Sequence, residues 1–353
     1  MDFRFQRSVR YHSRSELFRS SQRERLCHQA ASPFIRSSSG PPPVLSGRSS
    51  STHPGSLLRF TRRVSAAVTR SKMKIIPTAS VALAVLLSCT ASICHADSTK
   101  ALKIKINPEE FNASRADIEA VCRSAGDQLL KQMQGVPALT VQVSRSSQGP
   151  IALFKRGEKG EFQVKLSTEK TFWAQYAYQF SHEICHVLCG YENDFRGNLW
   201  FEESLCETAS LYCLRAMSRV WRTTPPYGNW RSYAPALLDY ADTIQKGRED
   251  YVEILRIGLP DYYQRHAAHL CKNPTDRKKN GAIALVLLTL FERNPEQWNS
   301  IRWLNSSPSP QGETFGEYLT KWHRAVPQQH TVFIDNIASL FGISLPAASK
   351  ITE

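Results

Sequence analysis

Two histidines and a glutamate stand in the stretch FSHEICHVLCG, as His182, Glu183 and His186. The spacing is HExxH. On an α-helix, positions i and i+4 stack on one face, so both imidazoles can reach one metal ion. The intervening glutamate then lies beside the metal, where it can hold a water and take its proton. This set of groups suits metal-assisted hydrolysis, in which a metal-bound water is deprotonated by Glu183 and attacks an electrophile that the metal polarises.

Two histidines leave such a centre incomplete, because catalytic zinc takes three protein ligands and keeps one position open. A histidine six residues after His186, with glycine at the third, would make the metzincin pattern. Glu192 and Cys189 occupy those places, which excludes it. The next donors lie in Trp200-Phe-Glu-Glu-Ser-Leu-Cys-Glu207. Glu203 and Glu207 are i and i+4 and share a helix face. At that spacing Glu203 can bind the metal while Glu207 accepts a hydrogen bond from a liganding imidazole, fixing its tautomer. The competing reading is a solvated acidic face. Glu202 is an alternative ligand, and Glu192 or Asp194 a more distant one.

In this register the chain resembles the gluzincins of the HExxH metallopeptidases, the thermolysin-like and aminopeptidase N-like enzymes. Their third ligand is a glutamate on the following helix, in a pattern similar to W-x-x-E-G/S-x-x-E/D. Trp200, Glu203, Ser204 and Glu207 match it, and the likeness covers about residues 176–212. It implies zinc held by His182, His186 and Glu203, with Glu183 as general base and Glu207 behind a histidine. Glu202 departs from the asparagine common there.

The elements that must position these groups predict an α+β chain: a small sheet plus the motif helix, zincin-like, followed by a mostly helical part. A helix opens at Asn112-Ala-Ser114, carries Ile118, Val121, Cys122, Ala125, Leu129 and Met133 at helical spacing, and ends at Gly135-Val136-Pro137. Three short strands follow, 139–143, 151–154 and 162–166, the last two joined by a hairpin turn at Gly157-Glu-Lys-Gly160. The motif helix is expected from Ser167 or Thr168 to Gly190. Its apolar stripe of Trp173, Tyr176, Phe180, Ile184 and Val187 lies nearly opposite His182, which argues against a core histidine. A second helix is expected from about Leu199 to Arg219. The run 281–291 is too short for a membrane span and reads as a buried helix. Either strand 151–154 or strand 162–166 can supply the sheet edge to which an extended peptide adds.

The net charge of +14 suggests nucleic acid, but its location does not. Residues 1–96 hold 15 Lys or Arg against 3 Asp or Glu, leaving 30 against 28 for the rest. The folded part is nearly neutral, so bulk charge names no partner. Segment 1–72 is a basic Arg/Ser-rich stretch that cannot bury enough surface to fold alone, and it is read as a start placed too early. A basic arm for nucleic acid and an organellar transit peptide compete with that reading. From Met73 a basic start, an apolar run and small residues before Ala96 make a secretory signal peptide over 73–96. The mature chain then begins near Asp97, secreted or periplasmic. In a variant reading Cys89 sits in a lipobox and anchors a lipoprotein. Residues 97–220 would form the zincin-like metal-binding subdomain and 221–353 the helical one.

Six cysteines remain after Ala96: Cys122, Cys185, Cys189, Cys206, Cys213 and Cys271. Four lie on the two metal helices, and a disulfide, Cys185 to Cys206, is expected to staple them. Free buried thiols are the alternative. Thiolate ligation of zinc is disfavoured, since Glu183 would then lack a role. Tyr262, Tyr263, His266 and His269 are candidate oxyanion donors that read better as ordinary helix residues. The sequence thus points to an extracytoplasmic zinc metallopeptidase acting on a peptide or protein substrate, without nucleic acid. The rival is a non-catalytic zincin-like module that binds metal and a partner; a glutamate placed as general base speaks against it.

Overall fold

Leu102, Ile104 and Ile106 alternate with lysines and turn inward, forming strand β1 (Leu102–Ile106). The computed structural model describes residues 102–191 and 197–346. Segment 1–72, the signal-peptide stretch 73–96 with Cys89, and the loop residues Glu192 and Asp194 lie outside the described residues.

β1 is an addition to the elements expected from sequence, though its two-residue alternation was there to read. Ser114 caps helix α1 (Arg115–Leu130) by accepting from the Asp117 N–H, so the expected opening is correct. The helix ends five residues before Gly135. Strands β2 (Leu139–Arg145), β3 (Ile151–Leu153) and β4 (Phe162–Leu166) complete a four-stranded sheet in the order β1-β2-β4-β3. β1 and β2 run parallel, as do β2 and β4. β3 returns antiparallel on β4, pairing Ala152 with Val164, across the Gly157–Gly160 turn. Gly160 adopts φ 79°, which a side chain disfavours. Of the two candidates for an edge, β3 is the outer strand.

The motif helix α2 spans Trp173–Leu188 and starts later than expected. Ser167 and Thr168 do not cap it. The Ser167 N–H and C=O both bond the Gln179 side chain, and the Thr168 hydroxyl reaches Gln175. Lys170, at φ 53°, breaks the helical path between them and Trp173. Gly190 ends the helix at φ 68°, as its sequence position predicts.

Helix α3 (Leu199–Trp221) is the central element. It packs against α1, α2, α4 (Ala234–Lys246) and α7 (Arg277–Arg293). The expected buried helix over 281–291 is the middle of α7. Helices α5 (Glu249–Ile257), α6 (Leu259–Lys272), α8 (Phe315–Ala325) and α9 (Thr331–Leu340) complete the helical part. Thr314 and Glu317 cap α8 reciprocally, as a capping box. The fold is α+β. Among the described residues no helix is long and apolar enough to cross a membrane.

Candidate metal centre

Tyr176, Phe180 and Ile184 of α2 are wholly buried, with Phe180 and Ile184 each contributing about 1.5–3 kcal/mol of apolar burial. They fix the rotation of α2 and leave His182 and His186 toward α3. The rings stand 5.0 Å apart, nearly edge to face. The Glu203 carboxylate lies between their outer nitrogens. Its Oε2 is 3.3 Å from His182 Nε2 and its Oε1 3.7 Å from His186 Nε2. Donors around one tetrahedral zinc, each about 2.0–2.2 Å from the ion, lie about 3.3–3.6 Å from one another. The two distances run to different oxygens of Glu203, and among the described residues the donors that all lie within 4.8 Å of one another are those of His182, His186 and Cys206, so Glu203 would have to turn one oxygen toward both rings to complete a zinc site. His182 and Glu203 are the partly exposed members, with side chains 20% and 12% accessible, so the open side of the centre is theirs.

Behind each ring stands a carboxylate. His186 Nδ1 is 2.6 Å from Glu202 Oε1, and Glu202 Oε2 accepts from Asn305 Nδ2 at 2.8 Å. Tyr318 in turn donates its hydroxyl to Asn305 Oδ1 at 3.0 Å. Glu202, an alternative ligand on sequence grounds, is thus placed on the far side of His186. Glu207 Oε2 lies 4.0 Å from His182 Nδ1 and accepts the Tyr178 hydroxyl, while Oε1 pairs with Arg248. Both Glu207 oxygens are therefore held. Such outer partners fix ring orientation and tautomer.

The electrostatics follow from this crowding. Burial acts against a charged His186, but Glu203, Glu202 and Glu183 outweigh it and lift its pKa to about 9. Burial also opposes ionisation of Glu207; Arg248 foremost, then His182 and the Tyr178 hydroxyl, overcome it and hold the carboxyl below its ordinary range. Glu183 is pushed up by burial, only partly countered by the histidines. The Ala152 backbone of β3 lies beside its carboxylate and slightly favours the charged form.

Arg248, at the start of α5, carries no sequence signal that would link it to the motif; nor does Asn305. Tyr178 lies one turn before His182 on α2, so helical spacing alone could have flagged it. The Arg248 guanidinium also donates to the Arg277 carbonyl at 3.0 Å and lies against Gly281 of α7. A Cβ on Gly281 would overlap it. Gly281→Ala is expected to push Arg248 off Glu207 and weaken zinc binding about 10–100-fold, the usual cost of losing an outer partner. Competition against a chelating dye reads this; an unchanged affinity would show that Arg248 does not support the centre.

The expected Cys185–Cys206 disulfide is absent. Both are free thiols, as are Cys122, Cys189, Cys213 and Cys271. Cys185 and Cys189 Sγ lie 4.0 Å apart, in hydrogen-bonding rather than covalent contact, with Cys206 close beside them. The helices do bring these sulfurs together, as free thiols. The Cys206 sulfur also groups with one ring nitrogen each of His182 and His186, all within 4.8 Å. Tyr262, Tyr263, His266 and His269 have other partners. Tyr262 donates to Asp250, Tyr263 stacks on Trp200, His266 lies near Glu253, and His269 pairs with Asp276.

Compared with known proteins, the chain matches no family model, no curated protein and no solved structure, so the reading of this centre rests on its geometry.

Proposed function

We propose that the chain is a zinc-dependent metallopeptidase of gluzincin type, working outside the cytoplasm on a peptide or protein substrate. The observation that carries this reading is the Glu203 carboxylate placed 3.3 and 3.7 Å from the outer nitrogens of the HExxH histidines. His182, His186 and Glu203 would hold the ion. When bound, zinc would polarise a peptide carbonyl and make water a stronger acid. Glu183 takes the proton from the attacking water and hands it to the leaving nitrogen. Burial raises its pKa, which makes its carboxylate a stronger base toward that proton. Glu202 holds the His186 ring at 2.6 Å, while Glu207 stands 4.0 Å from His182 Nδ1, an ion-pair rather than a hydrogen-bond distance. β3 suits an extended substrate, since it is the outer strand and its Ala152 backbone lies beside Glu183. The signal-peptide reading of 73–96 supports the location.

The test is cleavage of a mixed peptide library by the purified chain. Cleavage is expected with zinc, is lost on chelation and returns when zinc is restored. A chain that binds one zinc yet leaves the library intact would sink the proposal.

A further inference from the structure

Glu203 and Cys206 are three residues apart on α3, so they share a helix face, and both meet the histidine pair. The two donors differ in kind. Carboxylate oxygen is hard and suits zinc in an open, catalytic site; thiolate sulfur is soft and favours thiophilic ions. Cys206 is fully buried, and its sulfur lies with a ring nitrogen of each histidine inside 4.8 Å. Cys185 and Cys189 lie beside it, their own sulfurs 4.0 Å apart.

We propose that the centre has a second metal-binding mode, in which Cys206 joins His182 and His186 to hold a soft, thiophilic cation of the cadmium class, with Glu203 not required. It shares the two histidines with the peptidase reading but does not depend on hydrolysis. As the metal–sulfur bond forms, the Cys206 S–H bond breaks and its proton passes to solvent. Because the histidines are common to both modes, a soft cation and zinc exclude each other.

Cadmium titration of the reduced full chain tests this through the ultraviolet thiolate-to-cadmium charge-transfer band. The band is expected in the wild type and in Glu203→Ala. It should also survive in Cys185→Ser/Cys189→Ser, and be lost in Cys206→Ser and in His182→Asn, with circular dichroism confirming that each variant is folded. Cadmium should release zinc one for one from the zinc-loaded chain. A band that persists in Cys206→Ser would overturn the proposal. So would loss of the band in the double variant, which would indicate a site of thiols alone, or simultaneous binding of both metals. Zinc uptake and peptide cleavage by the untreated chain are scored separately, so failure of the peptidase reading leaves this result interpretable.

Discussion

Glu183→Gln is expected to lower peptide hydrolysis about 10²–10⁴-fold, the usual contribution of a positioned general base, while zinc occupancy stays at the wild-type level. The two halves of that expectation come from different parts of the geometry. Occupancy is retained because the ion's proposed donors are His182, His186 and Glu203, and Glu183 is not among them. Fold is retained because glutamine has nearly the same shape and volume as the buried glutamate it replaces. Removing a buried carboxyl that burial already disfavours in its charged form also leaves no stranded charge. What glutamine cannot do is take a proton. Metal analysis and initial rates on one cleavable peptide check both halves together. Residual activity within about tenfold of wild type would remove Glu183 from the role of base, since general acid–base catalysis contributes more than that. Loss of zinc would mean that Glu183 is a ligand instead.

How much of this was legible in the sequence depended on whether the signal was local. Helical spacing put His182 and His186 on one face and opposite the Phe180 and Ile184 stripe. It also paired Glu203 with Glu207 on the next helix. Those inferences need only the 3.6-residue repeat. The 157–160 hairpin turn and the buried helix within α7 were equally local. Strand β1 was passed over, although Leu102, Ile104 and Ile106 alternate plainly; five residues are a short run, and their parallel partner lies beyond helix α1. The start of α2 was misplaced because Ser167 and Thr168 look like caps, yet their bonds go to Gln179 and Gln175. Arg248, Gly281 and Asn305 were invisible for a different reason. Arg248 meets Glu207 from 41 positions away and Asn305 meets Glu202 from 103, through packing that no periodicity encodes. The distinction between Glu202 and Glu203 as ligands was likewise tertiary: the two are adjacent, and only the placement of the His186 ring separates them.

That distinction sets the second large effect. In a Cys206→Ser background, which removes the nearby thiol as a substitute donor, Glu203→Ala is expected to weaken zinc binding by more than the 10–100-fold that loss of an outer partner costs. In the same background Glu202→Gln is expected to stay within that range. Glu203 presents an oxygen to the outer nitrogen of each ring, so its removal leaves two histidines and too few donors for a catalytic zinc site. Glu202 reaches only Nδ1 of His186, and a glutamine oxygen there can still accept from the ring while Asn305 rearranges its amide. The background matters because Cys206 is close enough to both histidines to mask the loss of Glu203 in the otherwise wild-type chain. Zinc dissociation constants for the two variants, measured side by side against one competing chelator, give the comparison. If Glu202→Gln abolishes binding while Glu203→Ala is mild, the roles of the adjacent glutamates are reversed. The ion would then lie on the Nδ1 side of His186, with Asn305 beside it rather than two residues removed.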